Sequence, residues 1–256
     1  MKKASIFLAL TITGFVLATA QAQPQKSDGS GGPHFGAALS KLFGDNQAFT
    51  THMEFEMPDP SSGHTVVMPG KMSFDSGKSR FEMNLSDIKG SAIPPSAAAQ
   101  MKAMGMDSVT TISRPDKQVS WIVYGGLKSY FESPLTDKTD TAGVDDFTAV
   151  ATEMGKEVFD GHSCVKNKIV VSDKNSNTNE FTVWTATDLK NFPIRIETPQ
   201  PGGGRTVFSF KDVSFAKPDA GEFEPPAGFT KYASPQEMMQ AVMKQMGGGM
   251  GRLPGQ

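Results

Sequence analysis

The side chains that could do acid–base or metal chemistry are few and lie far apart along the chain. The four histidines are His34, His52, His64 and His162, and none of them forms an HxH or HExxH spacing with another. Such spacings bring two imidazoles to one metal ion or one catalytic centre. We therefore expect solvated histidines, on the polar face of a strand or at turns.

The single cysteine, Cys164, does not have the surroundings of a nucleophile. A nucleophile elbow needs glycines on both sides of a central serine between a strand and a helix, and Gly161-His162-Ser163-Cys164 lacks that pattern. A lone cysteine that opens a strand is more often a small packed apolar residue. The sequence therefore predicts no enzyme, no catalytic residue, no metal site and no cofactor.

Composition narrows the class of protein further. The chain has 256 residues, of which 38% are hydrophobic and 20% charged, and its formal net charge is −2. These values exclude general disorder and a strongly basic nucleic-acid binder, so we expect no nucleic-acid partner. One cysteine also excludes a disulfide framework.

The N-terminus has the pattern of an export signal. Lys2 and Lys3 precede an apolar stretch, and Ala20-Gln21-Ala22 is a small-x-small cleavage site. The apolar stretch is shorter than the ~20 residues that cross a bilayer. The pattern predicts a signal peptide over 1–22, cleaved after Ala22, and a periplasmic protein that is not an integral membrane protein. The polar, Gly- and Ser-rich residues 23–33 are expected to form a disordered leader.

The elements that would position a site are mainly short strands. The spacing of Phe35, Leu39, Leu42 and Phe43 predicts a short helix that ends before Gly44. From Phe49 to Met57 the period changes to two, which is typical of a half-buried strand. We expect about ten antiparallel strands, because their connections are too short for parallel crossovers. Among them are a strand from near His64 and a separate one over 71–74.

Three further segments complete the predicted domain. Pro94-Pro95 begins a helix that ends at Gly105. Residues 136–150 are expected to form a loop with one helical turn, followed by a strand over 156–159. The domain is placed at 34–232, and 233–256 is placed as a Met-rich C-terminal helix with a flexible tail. Ser234, Pro235 and Glu237 supply the N-terminal signals of that helix.

Several of these segments together resemble a known family. They are ISRPDKQVSWIVY (112–124), FPIRIE (192–197), FSFKDVSF (208–215) and FEPPAGFTKY (223–232). They resemble the periplasmic lipoprotein-carrier superfamily, which is LolA/LolB-like. The segment GKEVFDGHSC (155–164) is most similar to a bacterial family of exported domains of unknown function within that superfamily.

The resemblance implies a fold and a class of ligand. The implied fold class is α+β, with a curled antiparallel sheet that forms an incomplete β-barrel and helices that lie across its concave face. The apolar space between sheet and helices holds the acyl chains of a lipoprotein in the carriers. The implied partner is a hydrophobic ligand such as an acyl chain or a lipoprotein. In a related stress-regulating member the same scaffold senses ligands and partners, which leaves an envelope protein partner open for this chain.

The chain itself offers an apolar wall that suits such a ligand. Methionine and phenylalanine alternate along the first strands, and thioether side chains adapt to ligands of variable shape. The predicted ligand-binding residues are Phe49, Met53, Phe55, Met72, Phe74, Phe81, Met83 and Trp121. Trp121 could line either face of its strand. The alternative function is a protein-interaction or envelope-sensor module, in which this wall is simply a dry core.

The C-terminal methionines leave a third hypothesis. Met239, Met243, Met246 and Met250 follow helical spacing, with Met238 adjacent. Such a stripe usually packs against the domain or a partner. A stripe of thioethers could also bind Cu(I), a soft ion, as a lesser alternative.

Overall fold

The computed structural model describes residues 36–59, 63–90, 94–135, 143–200 and 203–249. The predicted signal peptide, the leader and the end of the C-terminal tail lie outside the described residues. Within them, nearly all of the regular structure is β-strand. The strands are β1 Ala48–Pro58, β2 Thr65–Asp75, β3 Lys78–Asn84, β4 Ser108–Arg114, β5 Val119–Tyr124, β6 Ser129–Pro134, β7 Thr148–Phe159, β8 His162–Ser172, β9 Thr178–Ala186, β10 Phe192–Pro199, β11 Arg205–Ser214 and β12 Thr230–Tyr232.

All twelve strands belong to one sheet. Their order is β12-β6-β5-β4-β3-β2-β1-β11-β10-β9-β8-β7, and β12 and β7 are its two open edges. Every pairing is antiparallel except that of β12 with β6. The prediction of an α+β fold with an antiparallel sheet that does not close into a barrel is confirmed.

The prediction of separate strands near His64 and over 71–74 is wrong, because β2 is one strand of eleven residues. Pro69 and Gly70 suggest a break, yet both pair with β1, opposite Glu54 and Met53. The pairing of β2 with β3 ends at Gly70, so Pro69 lies beyond the last pair with β3. No ladder hydrogen bond to that neighbour is lost there.

The helices differ in how they meet the sheet. The N-terminal segment is a short α-helix, α1 (Ala37–Ser40), continued by a 3-10 turn (Lys41–Phe43). Its residues Leu39, Leu42 and Phe43 join the main core, as the helical spacing predicts. The central helix α2 spans Pro95–Ala103, and none of its described side chains is buried. Its Ala-rich sequence has no apolar stripe that would pack against the sheet.

The C-terminal helix α3 (Pro235–Gly249) begins as its sequence predicts. The Glu237 amide donates to Ser234 Oγ (3.2 Å), and Glu237 Oε2 accepts from the Ala233 amide (2.7 Å). This is a reciprocal capping arrangement that satisfies two amides at the helix start. Side chains of α3 are described only as far as residue 244.

We call the face of the sheet that carries the main core cluster the inner face, and the opposite face the outer face. The chain between β11 and β12 crosses the outer face, and we call its residues 216–229 the outer strap. Its 3-10 turn Ala220–Phe223 buries Phe223 completely. Ser73 Oγ donates to Glu222 Oε2 (2.7 Å), and Arg80 donates to the Glu222 carbonyl (3.1 Å). Arg114 donates to the Phe223 carbonyl (3.3 Å). These bonds hold the strap across β2, β3 and β4.

Strand β7 was predicted only in part. The sequence predicts a loop with a helical turn over 136–150, and the structure places a 3-10 turn at Val144–Asp146. The strand then begins at Thr148, earlier than the predicted 156. Residues 148–155 lack the burial alternation that marks a strand, because both faces of β7 are exposed.

Candidate functional site

The inner face of the sheet gathers most of the predicted ligand-binding residues. Phe49 lies opposite Phe74, and Met53 lies opposite Gly70. On its other side Gly70 lies opposite Met83 of β3, so Met53, Gly70 and Met83 form one row across three strands. Cross-strand partners share a face of the sheet. The main core cluster contains or contacts seven of the eight residues, namely Phe49, Met53, Phe55, Met72, Phe74, Phe81 and Met83.

The eighth residue, Trp121, lies elsewhere, so the structure does not join it to the predicted wall. It belongs to a second cluster on the outer face with Ile112 and Phe223. Its indole Nε1 donates to Glu132 Oε2 (3.1 Å). The neighbouring Ile122 takes the inner position instead, since successive residues of a strand face opposite ways. The outer strap is what buries this second cluster.

Phe43 closes one end of the inner face. Its ring centroid lies 4.8 Å from that of Phe49 and 5.1 Å from that of Phe74. The rings of Phe192 and Phe210 lie 5.8 Å away. Phe43 is 1% exposed, and Phe49, Phe74 and Phe192 are fully buried. At this end the N-terminal segment therefore forms a sealed cover over the sheet.

The opposite end of the inner face is more open, and we call its apolar residues the mouth: Phe55, Met57 and Met68. Phe55 and Met68 are half-buried against the main cluster, and Met57 is 36% exposed. Phe55 lies opposite Met68 on one side and Phe208 on the other. Its ring centroid is 4.9 Å from that of Phe208. An apolar chain from outside would meet these side chains first.

A group of hydroxyls interrupts the apolar surface of the inner face. Thr111 lies opposite Ile122, and Ser113 lies opposite Ser120, which places all three hydroxyls on the inner side of β4 and β5. Together with Ser40 of α1 they are buried. Their oxygens have no hydrogen-bond partner among the described residues. Buried hydroxyls are normally bonded, so this group marks where a polar atom of a bound molecule or an ordered water would be stabilised.

The sequence did not identify several inner-face aromatics. Phe192, Phe208 and Phe210 all belong to the main core, and Phe192 packs edge-on against Phe49 with centroids 4.9 Å apart. The alternation of Phe208, Ser209 and Phe210 was the available signal for the last two. Phe43 was predicted only as part of a helix face and not as a wall residue.

The outer face carries an open groove of about 510 Å³ across β1, β2 and β3. Its lining includes His52, Glu54, Lys71 and Glu82. Lys211 is 3.3 Å from Glu54. Acidic and basic side chains alternate here, so the groove has no field of one sign that would select a charged ligand.

The candidate catalytic groups do not assemble. His162 Nδ1 lies 2.9 Å from Asp188 Oδ2, and this hydrogen bond lowers the pKa of Asp188. Cys164 is 2% exposed, its thiol donates to the His162 carbonyl (3.5 Å), and burial raises its pKa. A raised pKa keeps the thiol protonated and unreactive. Among the described residues, no group of three or more His, Cys, Asp or Glu side chains could hold a metal ion.

The C-terminal methionines pack differently from the predicted stripe. Met238 and Val242, four residues apart, are 1% and 9% exposed, and Met238 joins the main core. Met243 is 69% exposed. Met239 is half-buried, and the side chains of Met246 and Met250 lie outside the described residues. The packed face is therefore that of Met238 and Val242, and α3 docks on the same core as the sheet.

The comparisons with known proteins give likeness only to solved structures. The chain matches no protein-family model and no curated protein sequence. A LolA-superfamily protein from Nitrosomonas europaea is 10% identical, over 73% of this chain and 96% of that one, with a TM-score of 0.34. The lipoprotein LppX of Mycobacterium tuberculosis is 12% identical, over 69% and 91%, with a TM-score of 0.37.

A third structure is MucB in complex with MucA(peri). It is 13% identical over 77% of this chain, with a TM-score of 0.36, and the match spans only 61% of that chain. Identities and TM-scores this low do not define what this chain binds. No described helix is long and apolar enough to cross a membrane.

Proposed function

We propose that this protein is an exported, non-enzymatic binder of a hydrophobic ligand, whose apolar chain lies on the inner face of the sheet. The observation that carries the proposal is the mouth, where Phe55, Met57 and Met68 leave the apolar wall partly exposed at one end. Exposed apolar side chains that continue into a buried apolar surface mark a binding site more often than isolated ones do.

The rest of the wall is filled and must rearrange when a ligand enters. Met53, Met72 and Met83 lie between the mouth and the sealed end, and each is at most 6% exposed. Methionine is unbranched and has three rotatable side-chain bonds, so these residues can shift without moving the strands. In this proposal a ligand chain displaces them and uses the volume that they occupy.

The N-terminal segment is the part of the structure that would move away from the sheet when a ligand enters. The α-helix Ala37–Ser40 has four residues and no side-chain cap hydrogen bond at its start. A helix this short is not stable alone and is held by packing. Phe43 supplies that packing through its four aromatic neighbours. Its displacement would connect the sealed end with the mouth.

The unpartnered hydroxyls refine the class of ligand. Thr111, Ser113 and Ser120 can donate to or accept from a polar group inside an otherwise apolar space. An acyl chain with a polar end, such as a fatty acid, a phospholipid or a lipidated protein, fits both surfaces. We place its site of action in the periplasm, on the basis of the signal peptide predicted over 1–22.

The experiment is native mass spectrometry of residues 23–256 purified from the periplasm, with solvent extraction of bound molecules. Binding of a long-chain fluorescent fatty acid is then measured for Phe55→Asp and for a control, Met243→Asp. Met243 is 69% exposed on the C-terminal helix, so the control adds the same charge away from the mouth. We expect a lipid-mass adduct, loss of probe binding in Phe55→Asp, and unchanged binding in the control.

Circular dichroism must show that both variants are folded. A protein without an adduct that binds neither the fatty acid nor phospholipid contradicts the proposal. Equal loss of binding in both variants also contradicts it, because the mouth would then have no special role.

The second candidate function is a protein-interaction or sensor module with a dry core. The complete burial of Phe49, Met72 and Phe74 favours it, since these side chains already fill their part of the wall. It predicts that no lipid binds and that the variants at the mouth affect stability alone.

A further inference from the structure

Strand β7 is an open edge of the sheet with apolar side chains in solvent. Among the described residues it pairs only with β8. Eleven of its twelve residues are exposed, and Phe159 is half-buried. Val150, Met154 and Val158 are 67%, 57% and 73% exposed. An unpaired edge presents amide and carbonyl groups that another strand can bind.

A β-bulge changes which side chains share a face of β7. The register shifts between Glu153 and Gly155, so Glu153 lies opposite Asn167 and Lys156 lies opposite Val165. Asn167 and Val165 are two residues apart on β8 and therefore share a face. Glu153 and Lys156, three residues apart, consequently lie on the same face of β7. Without the bulge they would face opposite ways.

We propose that β7 of a second copy of this chain pairs with this edge, antiparallel, about a two-fold axis between Met154 and Gly155. Glu153 of each copy then lies opposite Lys156 of the other, which makes two symmetric ion pairs. A two-fold interface of this kind repeats every contact. The strand is thus complementary in charge to its own inverted copy.

The apolar residues fit the same register. Ala151 lies opposite Val158 of the second copy, and Val150 lies opposite Phe159. Ala151 and Val158 share one face, because their β8 partners, Ile169 and Ser163, are an even number of residues apart. Val150 and Phe159 share the other face for the same reason, through Val170 and His162.

Neighbouring registers are less favourable. A shift of one residue in one direction sets Glu153 opposite Glu157, whose β8 partners Asn167 and Cys164 are three residues apart, so the two side chains would lie on opposite faces and the register does not fit the pleat. A shift in the other direction sets Glu153 against Gly155 and loses both ion pairs. Bulges and charges often protect an edge from pairing. Here both signs of charge occur at positions related by the two-fold axis, so they select one partner rather than repel all.

The test is sedimentation velocity of residues 23–256 over a dilution series. We expect a reversible dimer for the natural sequence. Lys156→Glu and Glu153→Lys each set like charges opposite at two symmetric positions, and each should weaken dimerisation about tenfold or more. The double variant Glu153→Lys with Lys156→Glu restores both ion pairs and should restore the dimer. An equimolar mixture of the two single variants should form a heterodimer.

Lys102→Glu is the control, because Lys102 is exposed on α2 and the change of charge is the same. It should leave the dimer unchanged. The proposal is overturned by a monomer at all concentrations, by single variants that dimerise like the natural protein, or by a charge swap and a mixture that both stay monomeric. A monomer that pairs only with another protein through β7 overturns it as well.

Discussion

The ring of Phe81 occupies the space that a side chain on Gly70 would need. A Cβ placed on Gly70 would lie 2.5 Å from two ring atoms of Phe81 and still closer to the Glu82 carbonyl oxygen. Gly70 lies between Met53 and Met83 in the central row of the inner face. The missing side chain thus lets a phenylalanine of β3 cover the backbone of β2.

Replacing Gly70 by alanine should therefore destabilise the protein. The Cβ would force Phe81 or the backbone to move, and overpacking of this kind costs about 1–3 kcal/mol. The free energy of unfolding in urea measures the effect. Gly125→Ala is the control, because its nearest contact would be an ordinary 3.7 Å to Ser108 Oγ. Equal stability of the two variants would contradict the role of the Gly70–Phe81 contact.

Asp75 should make stability depend on acid pH. Burial pushes its pKa up, but the hydrogen bond and charge of Lys78 (2.7 Å), with help from Ser76 and Lys217, lower its pKa below the ordinary value of 3.8. Because the folded pKa is lower than the unfolded one, the stabilisation by ionised Asp75 is complete above the unfolded pKa. It is lost as the pH falls through the folded pKa.

The variant Asp75→Asn isolates this contribution. We expect it to be less stable than the natural protein by about 1–3 kcal/mol near pH 6. The difference should shrink as the pH is lowered below the ordinary carboxyl pKa of 3.8. Thermal unfolding at several pH values measures it. A difference that stays constant through this range would show that protonation of Asp75 is not involved.

The C-terminal helix offers two methionines with opposite environments, Met238 and Met243. Met238→Ala removes a buried side chain from the main core and should cost about 2–5 kcal/mol. Met243→Ala changes a side chain that is 69% exposed and should change stability by less than about 0.5 kcal/mol. Urea unfolding of both variants tests the docking of the helix. A larger loss of stability in Met243→Ala than in Met238→Ala would mean that the Met243 side of the helix faces the core.

Cys164 should be protected from thiol reagents while the protein is folded. Its side chain is 2% exposed, and burial raises the pKa of its thiol, so both access and thiolate formation are suppressed. A chromogenic disulfide reagent should react fully only after denaturation. Lys102→Cys adds an exposed thiol on α2 as the positive control, and one thiol per chain should then react at once. Fast reaction of the natural folded protein would place Cys164 at the surface.

The unpartnered hydroxyls can be tested without knowing the ligand. In the empty protein, Ser113→Ala removes a buried oxygen that has no partner among the described residues, so stability should stay equal or rise by up to about 1 kcal/mol. With the fluorescent fatty acid bound, the stabilisation that the probe confers should be smaller in the variant than in the natural protein. Thermal unfolding with and without the probe measures both. Destabilisation of the empty variant would indicate that Ser113 is already bonded in the empty protein.

Local sequence patterns determined much of this protein. Alternation over β1 predicts that Phe49, Met53 and Phe55 share a face, and the structure confirms it. The capping residues of the C-terminal helix and the prolines at the start of α2 also predict where those helices begin. These features depend on residues a few positions apart, which a sequence displays directly.

Tertiary structure decided what local patterns leave open. Both faces of β5 carry large apolar residues, so the sequence leaves open whether Trp121 or Ile122 lies on the inner side. The outer strap, which is distant in sequence, covers the face of Trp121. Met238 and Met239 are adjacent, and the docking of the helix against the sheet buries Met238 in the core. The row from Met53 through Gly70 to Met83 depends on the register of three strands. Which face is buried, and in which register, depends on contacts between distant segments, and no local periodicity encodes them.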